Sequence, residues 1–466
     1  MRRISALISV LVLVAALSAV VCAQDYKSLK FDELEFKVPD VELLKLSNGI
    51  VVHFYEDHSL PLVAIDASFK AGEIFEPAEL AGLSEICAVV LRSGGSKSIP
   101  ANDLDQMLDF VGAQLNTYST TEQASVQLRV LKKDIDLGMK LMSQVIVEPA
   151  FEQEKLDIAL ENKIEEIRRE NDNPNVITRR EFYRKLFPNH PYGRSATVAN
   201  IQAIGRSDVV DFHAGIYRPD NCIMAVSGDL TKTELAELLN KYFTSWKAAD
   251  GPLPAFPDLP DPAYGIYHVH KDINQTFFRI GHPGISKSNP DRYAVEVMNF
   301  ILGGGGFLSR MMHKVRVEGG LAYNVGTNFY KMNHSGSFYA YCQTGPGTTA
   351  KAIDLMMQET RRMIEEDVTP EEVAVARNTI LNTNVFQYAT PHQIAAQQAQ
   401  LELDGLPPDV LTKRIEAIRS VTVADIRRVA EKYLHPDKVI IVSVGNEEAF
   451  DKPLSTYGHV TMIEVE

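Results

Sequence analysis

Alternation of apolar and polar residues predicts that each half of the chain opens with β-strands. The alternating segments are Ile50–Tyr55 and Leu62–Phe69 in the first half, and Tyr264–His270 and Gln275–Gly281 in the second. Two further strands are predicted at Gln114–Thr117 and Ala124–Val130, and helical periodicity covers Ala101–Val111, Lys132–Val147, Glu152–Asn171 and Thr231–Trp246. Strands first, helices grouped behind them and one returning strand indicate an α+β fold in each half.

A repeat with a long period shows that the two halves are related. Asp208–Asn221 and Asp425–Lys438 both predict an amphipathic helix that ends near a Pro-Asp turn and runs into a buried strand closed by glycine. Pro219 and Pro436 lie 217 residues apart, and the closing glycines, 228 and 445, have the same separation. A shared offset of this length predicts two homologous domains.

The segment Gly251–Ala263 contains five prolines and predicts a linker between the two domains, because neither a helix nor a central strand tolerates them. We therefore place an N-terminal domain at residues 24–247, the linker at 248–263 and a C-terminal domain at 264–466.

The N-terminus has the features of a secretory signal peptide. Arg2 and Arg3 precede the apolar run Ile4–Val21, and small residues before Gln24 predict cleavage after Ala23. We therefore expect residues 1–23 to be removed and the protein to be periplasmic or secreted, with no membrane span left after cleavage. An uncleaved anchor helix is the alternative, since the apolar run is close to the minimum spanning length.

The acidic composition narrows the possible partners. The formal net charge is −14, and loss of two arginines with the signal peptide makes it 45 − 61 = −16, which argues against nucleic acid as a ligand. The mature chain keeps three cysteines, Cys87, Cys222 and Cys342. We interpret them as small buried apolar residues, although one disulfide between two of them is compatible with the sequence.

Several short motifs, in order along nearly the whole mature chain, resemble the insulinase/pitrilysin family of zinc peptidases, particularly its processing-peptidase branch. They are Ala71–Glu76, Ala81–Leu83, Gly94–Lys97, Asn189–Gly193 and Val226–Asp229. The resemblance implies two homologous α/β sandwich domains arranged as a clam shell.

The family's inverted zinc motif, H-x-x-E-H, is missing from this chain. In the family, two histidines four residues apart bind zinc and the glutamate activates water. Aligned on Ala81–Leu83, the corresponding residues here are Glu85, Ala88 and Val89. A valine has no lone pair and an alanine accepts no proton, so we expect no metal bound by this chain and no catalysis by the chain alone.

A third family ligand, a glutamate on a downstream charged helix, has a counterpart in the sequence. Glu161 lies 76 residues after Glu85, and Glu154 precedes it by seven, which puts the two carboxylates on one helical face. They are interpreted either as a surviving part of the site or as ordinary members of a very acidic helix.

The second half resembles the family's substrate-facing segment. A glycine run that includes Gly304 and Gly305 leads to Arg316 and Tyr323, seven residues apart. The resemblance implies that this pair contacts the backbone of a peptide substrate; the alternatives are a solvated loop charge and a core aromatic. Asn116, within Gly112–Thr117, resembles the family's substrate-side edge strand, although an ordinary hairpin strand fits equally well.

These features together lead to one preferred function. The resemblance implies a non-catalytic subunit that completes the cleavage chamber of a homologous H-x-x-E-H partner, with zinc in the partner and an extended peptide as substrate. A binding scaffold of the same fold, as in respiratory-complex core subunits, is a second hypothesis. A lone metallopeptidase with a site rearranged from Glu85, Glu154 and Glu161 is a third, disfavoured because carboxylates alone prefer harder ions.

Overall fold

The computed structural model describes residues 37–249 and 251–465. The predicted signal peptide, residues 1–23, lies outside the described residues. Among the helices of the described part, none is long and apolar enough to cross a membrane. Everything from Val38 onwards belongs to one compact unit that contains both sheets described below.

The first half contains a six-stranded sheet in the order β1-β2-β6-β3-β5-β4. Its strands are β1 Glu42–Lys45, β2 Val51–Glu56, β3 Leu62–Lys70, β4 Gln114–Ser119, β5 Gln123–Leu131 and β6 Cys222–Gly228. Its helices are α1 Leu83–Ser93, α2 Ala101–Val111, α3 Ile135–Val147, α4 Gln153–Glu170, α5 Pro174–Leu186, α6 Val198–Ala203, α7 Arg206–Ile216 and α8 Lys232–Phe243. One large apolar core lies between this sheet and most of these helices.

The second half repeats the arrangement in a sheet of order β12-β7-β11-β8-β10-β9. Its strands are β7 Gly265–His270, β8 Thr276–Pro283, β9 Ala322–Lys331, β10 Gly336–Thr344, β11 Ile440–Gly445 and β12 Val460–Met462. Its helices are α9 Arg292–Asn299, α10 Thr349–Glu365, α11 Pro370–Asn384, α12 Pro391–Leu403, α13 Val410–Ser420 and α14 Val423–Tyr433. Two π-helical segments, Phe300–Gly304 and Met312–Glu318, flank the glycine run.

The structure confirms the predicted α+β fold of two homologous halves. Helix α14 begins and ends 217 residues after α7, from 206 to 423 and from 216 to 433. The sheet orders also match strand for strand, except that the outermost strand β12 comes from the chain terminus and runs parallel to β7, whereas β1 is antiparallel to β2.

Each half also gives one helix to the sheet of the other half. Helix α5 packs on β8 and β11, and α12 packs on β2 and β6. These two helices keep the same 217-residue offset, from 174 to 391. Each begins with proline after an N-cap residue, Asn173 or Thr390, whose side chain accepts a backbone N–H. The reciprocal exchange seals the two halves together, since the apolar side of each helix is buried only against the opposite sheet.

Some element boundaries differ from the predicted ones for local reasons. The helix predicted over Thr231–Trp246 ends at Phe243, with Thr231 as its N-cap and Trp246 buried beyond its end. The helix predicted from Lys132 begins at Ile135, after a 3₁₀ turn. Within the proline-rich segment, residues 252–264 form neither helix nor strand. Cys87, Cys222 and Cys342 are buried and carry no disulfide.

Candidate functional site

Helix α1 carries the three residues that replace the zinc motif, and a buried glutamate anchors its first turn. The Glu76 carboxylate accepts hydrogen bonds from the backbone N–H groups of Gly82 and Ser84, both at 3.0 Å. Gly82 has a φ of 98°, a left-handed conformation that favours glycine immediately before the helix. Burial raises the pKa of Glu76 to about 7, despite these two hydrogen bonds.

The replaced motif positions differ in their surroundings. Glu85 and Val89 lie one helical turn apart and are both accessible to solvent, whereas Ala88 is buried. The Ala88 carbonyl accepts a hydrogen bond from the Thr117 hydroxyl on β4 at 2.6 Å, which fixes the helix against the sheet edge. A polar group at position 85 and an exposed position 89 therefore remain where metal ligands would project.

A lysine ammonium lies beside Glu85. Lys163 Nζ on α4 is 2.7 Å from Glu85 Oε2 and 3.2 Å from Glu166 Oε2. Only 12% of the lysine side chain is exposed, compared with 43% for Glu85. The ion pairs raise the pKa of Lys163, although burial opposes them. A cation held at this position repels a metal ion, so the residues present do not fit the zinc that the family fold implies.

A second buried carboxylate completes the cluster. Burial raises the pKa of Glu73, which accepts a hydrogen bond from the Thr121 hydroxyl at 3.1 Å; the negative charge of Glu85 adds to this rise and that of Lys163 opposes it. In the part of the chain that the structure describes, no group of three or more His, Cys, Asp or Glu side chains is arranged to hold a metal ion. The lysine therefore balances acidic side chains here.

Glu154 and Glu161 share a face of α4, but it is not the face that meets α1. They lie nine and two residues before Lys163, which corresponds to rotations of about 180° and 200° around the helix at about 100° per residue. Both side chains are exposed, whereas Leu156 and Ala159 on the lysine side are buried. The structure therefore brings Lys163 and Glu166 to Glu85 and leaves the two predicted carboxylates facing solvent.

Asn116 lies on β4, the edge strand of the first sheet. Gln114, Asn116 and Tyr118 are exposed, while Leu115 points into the core. One side of β4 pairs with β5, with Asn116 opposite Gln127. In the described part of the sheet, the other side has no partner strand, so its backbone groups are available to an extended peptide.

The glycine run of the second half is packed closely against its own backbone. A Cβ at Gly305 would meet the Phe300 carbonyl oxygen at 2.7 Å, and one at Gly304 would meet the Asn299 side chain at 2.5 Å. Both glycines follow from the tight π-helical turn. Their absent side chains place the following residues, Phe307 and Leu308, at the surface.

Arg316 and Tyr323 come together as the motif predicted. The Arg316 guanidinium carbon lies 4.9 Å from the Tyr323 ring centroid and 4.9 Å from that of Phe307. The tyrosine is 75% exposed and the phenylalanine 65%, and Leu308 and Val317 beside them are also exposed. Stacking between two rings holds the guanidinium in position. The sequence reasoning did not select Phe307, because only the folded turn brings it to Arg316.

Comparisons with known proteins agree with this geometry. The profile described as insulinase (peptidase family M16) matches residues 51–199, and the one described as peptidase M16 inactive domain matches residues 203–380. The chain is 25% identical over 407 residues, 86% of its own length, to 92% of a Helicobacter pylori protein named non-peptidase homolog YmxG. It is 26% identical to a Rickettsia bellii protein named uncharacterized zinc protease, over 72% of this chain and 81% of that protein.

A solved structure shows the same fold. A crystal structure described as a peptidase M16 inactive domain from Pseudomonas fluorescens superimposes with a TM-score of 0.82 at 24% identity. The superposition covers 89% of this chain and 100% of that one, so the duplicated architecture is shared over almost all of both molecules.

Proposed function

Because this chain belongs to the insulinase family, peptidase M16, yet carries Glu85, Ala88 and Val89 at the zinc-motif positions, we propose that it is a non-catalytic, substrate-binding subunit. In this proposal, a homologous chain with an intact H-x-x-E-H motif supplies the zinc and the catalytic base. The present chain supplies a wall of the chamber and contacts to an extended peptide. We further propose that both chains act outside the cytoplasm, after removal of residues 1–23.

The exposed Arg316–Tyr323 pair is the observation that carries this proposal. A guanidinium and a phenol at the surface, 4.9 Å apart and held by Phe307, have the donors needed for a peptide carbonyl or a developing oxyanion. Their exposure means that neither side chain is needed to fill the core. A substrate-binding role accounts for both.

The edge strands support a peptide as the ligand. Tyr323 lies on β9, the edge of the second sheet, as Asn116 lies on β4, the edge of the first. An extended peptide can add to either edge through main-chain hydrogen bonds, which gives affinity with little demand on peptide sequence.

The lysine at the degenerate site supports assignment of the chemistry to a partner. Lys163 beside Glu85 replaces metal charge with a fixed side-chain charge. A helix α1 stabilised in this way keeps its position next to β4 without zinc. The wall of the chamber can thus persist although the catalytic residues are absent.

The test is reconstitution from purified chains. The mature protein beginning at Gln24 would be assayed with a library of internally quenched peptides, alone and mixed with the homologous H-x-x-E-H chain from the same organism. We expect cleavage only in the mixture, and at least a tenfold loss with Arg316→Ala or Tyr323→Phe, as expected when a transition-state contact is removed.

Matched controls separate the site from general damage. Tyr264→Phe and Arg169→Ala change exposed residues of the same types outside the pair and should leave the activity of the mixture intact. Full activity of the partner alone, unaffected by this chain, would contradict the proposal. Peptide binding without cleavage in any mixture would instead support the scaffold hypothesis.

A further inference from the structure

A polar cavity of about 290 Å³ lies against the second sheet, away from the Arg316–Tyr323 pair. Strands β8, β9 and β10 form its floor, and Asn175 and Thr178 of helix α5 line one side. Asn324 and Asn328 of the edge strand β9 are exposed, so the cavity can be reached from solvent.

Arg279 is the charged residue of this cavity, and it lacks an anionic partner. The residue is only 8% exposed, and its Nε and Nη1 atoms are buried without any hydrogen-bond acceptor. The guanidinium carbon stacks over the Tyr339 ring at 4.5 Å from its centroid. Among the described residues that line the cavity, none is an aspartate or a glutamate.

An arrangement of this kind is costly without a ligand. A buried guanidinium with unused donors loses its hydration and gains no compensating charge. The stacking on Tyr339 fixes the plane of the guanidinium, which prepares its parallel N–H donors for a two-oxygen acceptor. A carboxylate is the acceptor that matches this geometry.

Neutral donors around Arg279 match the same ligand. Tyr341 lies directly opposite Arg279 in the β8–β10 register, and burial raises its pKa, which keeps the hydroxyl protonated as a donor. A Cβ at Gly326 would approach that hydroxyl to 2.8 Å, so the glycine leaves it room. The amides of Asn324 and Asn328 can donate from the solvent side.

We propose that the cavity around Arg279 is a binding site for a carboxylate of a peptide, either the C-terminal carboxylate or an acidic side chain. The peptide character of the ligand rests on the proposed function, whereas the carboxylate chemistry rests on the cavity alone. The site defines a substrate class for the chain: peptides that place one carboxylate next to the second sheet.

Calorimetric titration of the isolated mature chain tests the proposal without a partner or a cleavage assay. Three probes are used: acetylated hexaalanine with a free C-terminal carboxylate, the same peptide as its amide, and an amidated peptide with one central glutamate. We expect binding of the first or the third, which distinguishes the two sources, and no binding of the neutral amide.

Variants test the role of the guanidinium. Arg279→Gln should weaken carboxylate binding at least tenfold, because the charged, two-point contact is lost. Asn328→Asp places a carboxylate beside Arg279 within the chain; it should abolish binding and raise the melting temperature, which guards against a misfolded Arg279→Gln. Asn328→Ala, the matched control, should bind within a few fold of the natural chain.

Equal binding of the neutral amide, unchanged binding by Arg279→Gln, or binding of no probe would each overturn the proposal. These outcomes are independent of reconstituted cleavage, since a chain without the carboxylate site can still activate a partner. Loss of cleavage with intact carboxylate binding would overturn only the proposed subunit role.

Discussion

Lys163 Nζ lies 2.7 Å from Glu85 Oε2, and this ion pair joins the helix that bears the degenerate zinc motif to the acidic helix α4. In a zinc peptidase of this family, the corresponding space holds a divalent ion bound by neutral imidazoles. Here a side-chain cation pairs with an acidic residue. The exchange keeps charge balanced between α1 and α4 and removes the need for metal in holding them together.

The Glu85–Lys163 pair should show a measurable coupling energy. In a double-mutant cycle with Glu85→Gln and Lys163→Met, we expect a coupling of about 1 kcal/mol, modest because the glutamate is partly solvated. Urea unfolding at low and high salt measures it, and salt should reduce it. A cycle between Glu85→Gln and Lys155→Met on the same helix is the control and should give no coupling.

Restoring the motif alone should not restore a good zinc site. The triple variant Glu85→His, Ala88→Glu, Val89→His keeps the Lys163 ammonium next to the new ligands, where it repels the ion. Adding Lys163→Ala removes that charge and frees Glu166, so zinc affinity should rise at least tenfold. Competition titration with a zinc-binding dye measures the affinity of both variants.

A matched lysine separates local from general charge in this experiment. Lys155→Ala, introduced instead of Lys163→Ala, lowers the net charge equally but lies near the start of α4. It should leave the zinc affinity of the triple variant unchanged. Equal affinities with and without Lys163 would contradict our interpretation of the ammonium.

Glu76 should make the protein less stable as the pH rises through the mildly acidic range. Its pKa is raised from 4.5 to about 7 by burial, so the folded state holds a proton that the unfolded state releases between these values. Stability from this group is therefore present below pH 4.5 and lost by about pH 7, a difference of about 3 kcal/mol. Comparison of unfolding free energies of the natural chain and Glu76→Gln at pH 4.5 and 7.5 isolates it.

The natural chain should lose stability relative to Glu76→Gln over that interval. A constant difference between the two proteins would show that the carboxyl group is ionised throughout. Glu79→Gln, three residues further on and exposed, is the control and should leave the pH dependence unchanged.

Asp66 should have the opposite pH dependence and should anchor the exchanged helix α12. Its carboxylate lies 3.0 Å from His392 Nε2 on α12 and 2.6 Å from Arg129 Nη1 on β5. Burial acts to raise the pKa of Asp66, but these two partners outweigh it and hold the pKa below the ordinary 3.8. The group therefore adds stability above pH 3.8 that is lost as the pH falls through its lowered pKa.

Asp66→Asn should consequently destabilise the protein at pH 7 by about 2 kcal/mol, as expected for a charged hydrogen bond. Against the natural chain, the difference should shrink towards pH 3. His392→Gln should have a smaller effect in the same direction, since Arg129 remains. Chemical unfolding at both pH values measures these differences, and a pH-independent penalty would show that Asp66 acts through packing alone.

The duplication and the loss of the zinc motif were both predictable from the chain. The 217-residue offset of Pro219 and Pro436 records a repeated fold, because a turn and the strand after it are local features. The missing ligands are equally local: nothing can restore an imidazole where Val89 stands. Arg316 and Tyr323 were also predicted, since their spacing belongs to one short segment.

Contacts between distant segments could be known only from the folded chain. Helical periodicity puts Glu154 and Glu161 on one face, but it does not say which face meets α1, and packing turns Lys163 there instead. The exchange of α5 and α12 between the sheets depends on burial against partners far away in the chain. Arg279 reads as one more strand residue until the tertiary structure removes water and every acid from around it, which no local pattern encodes.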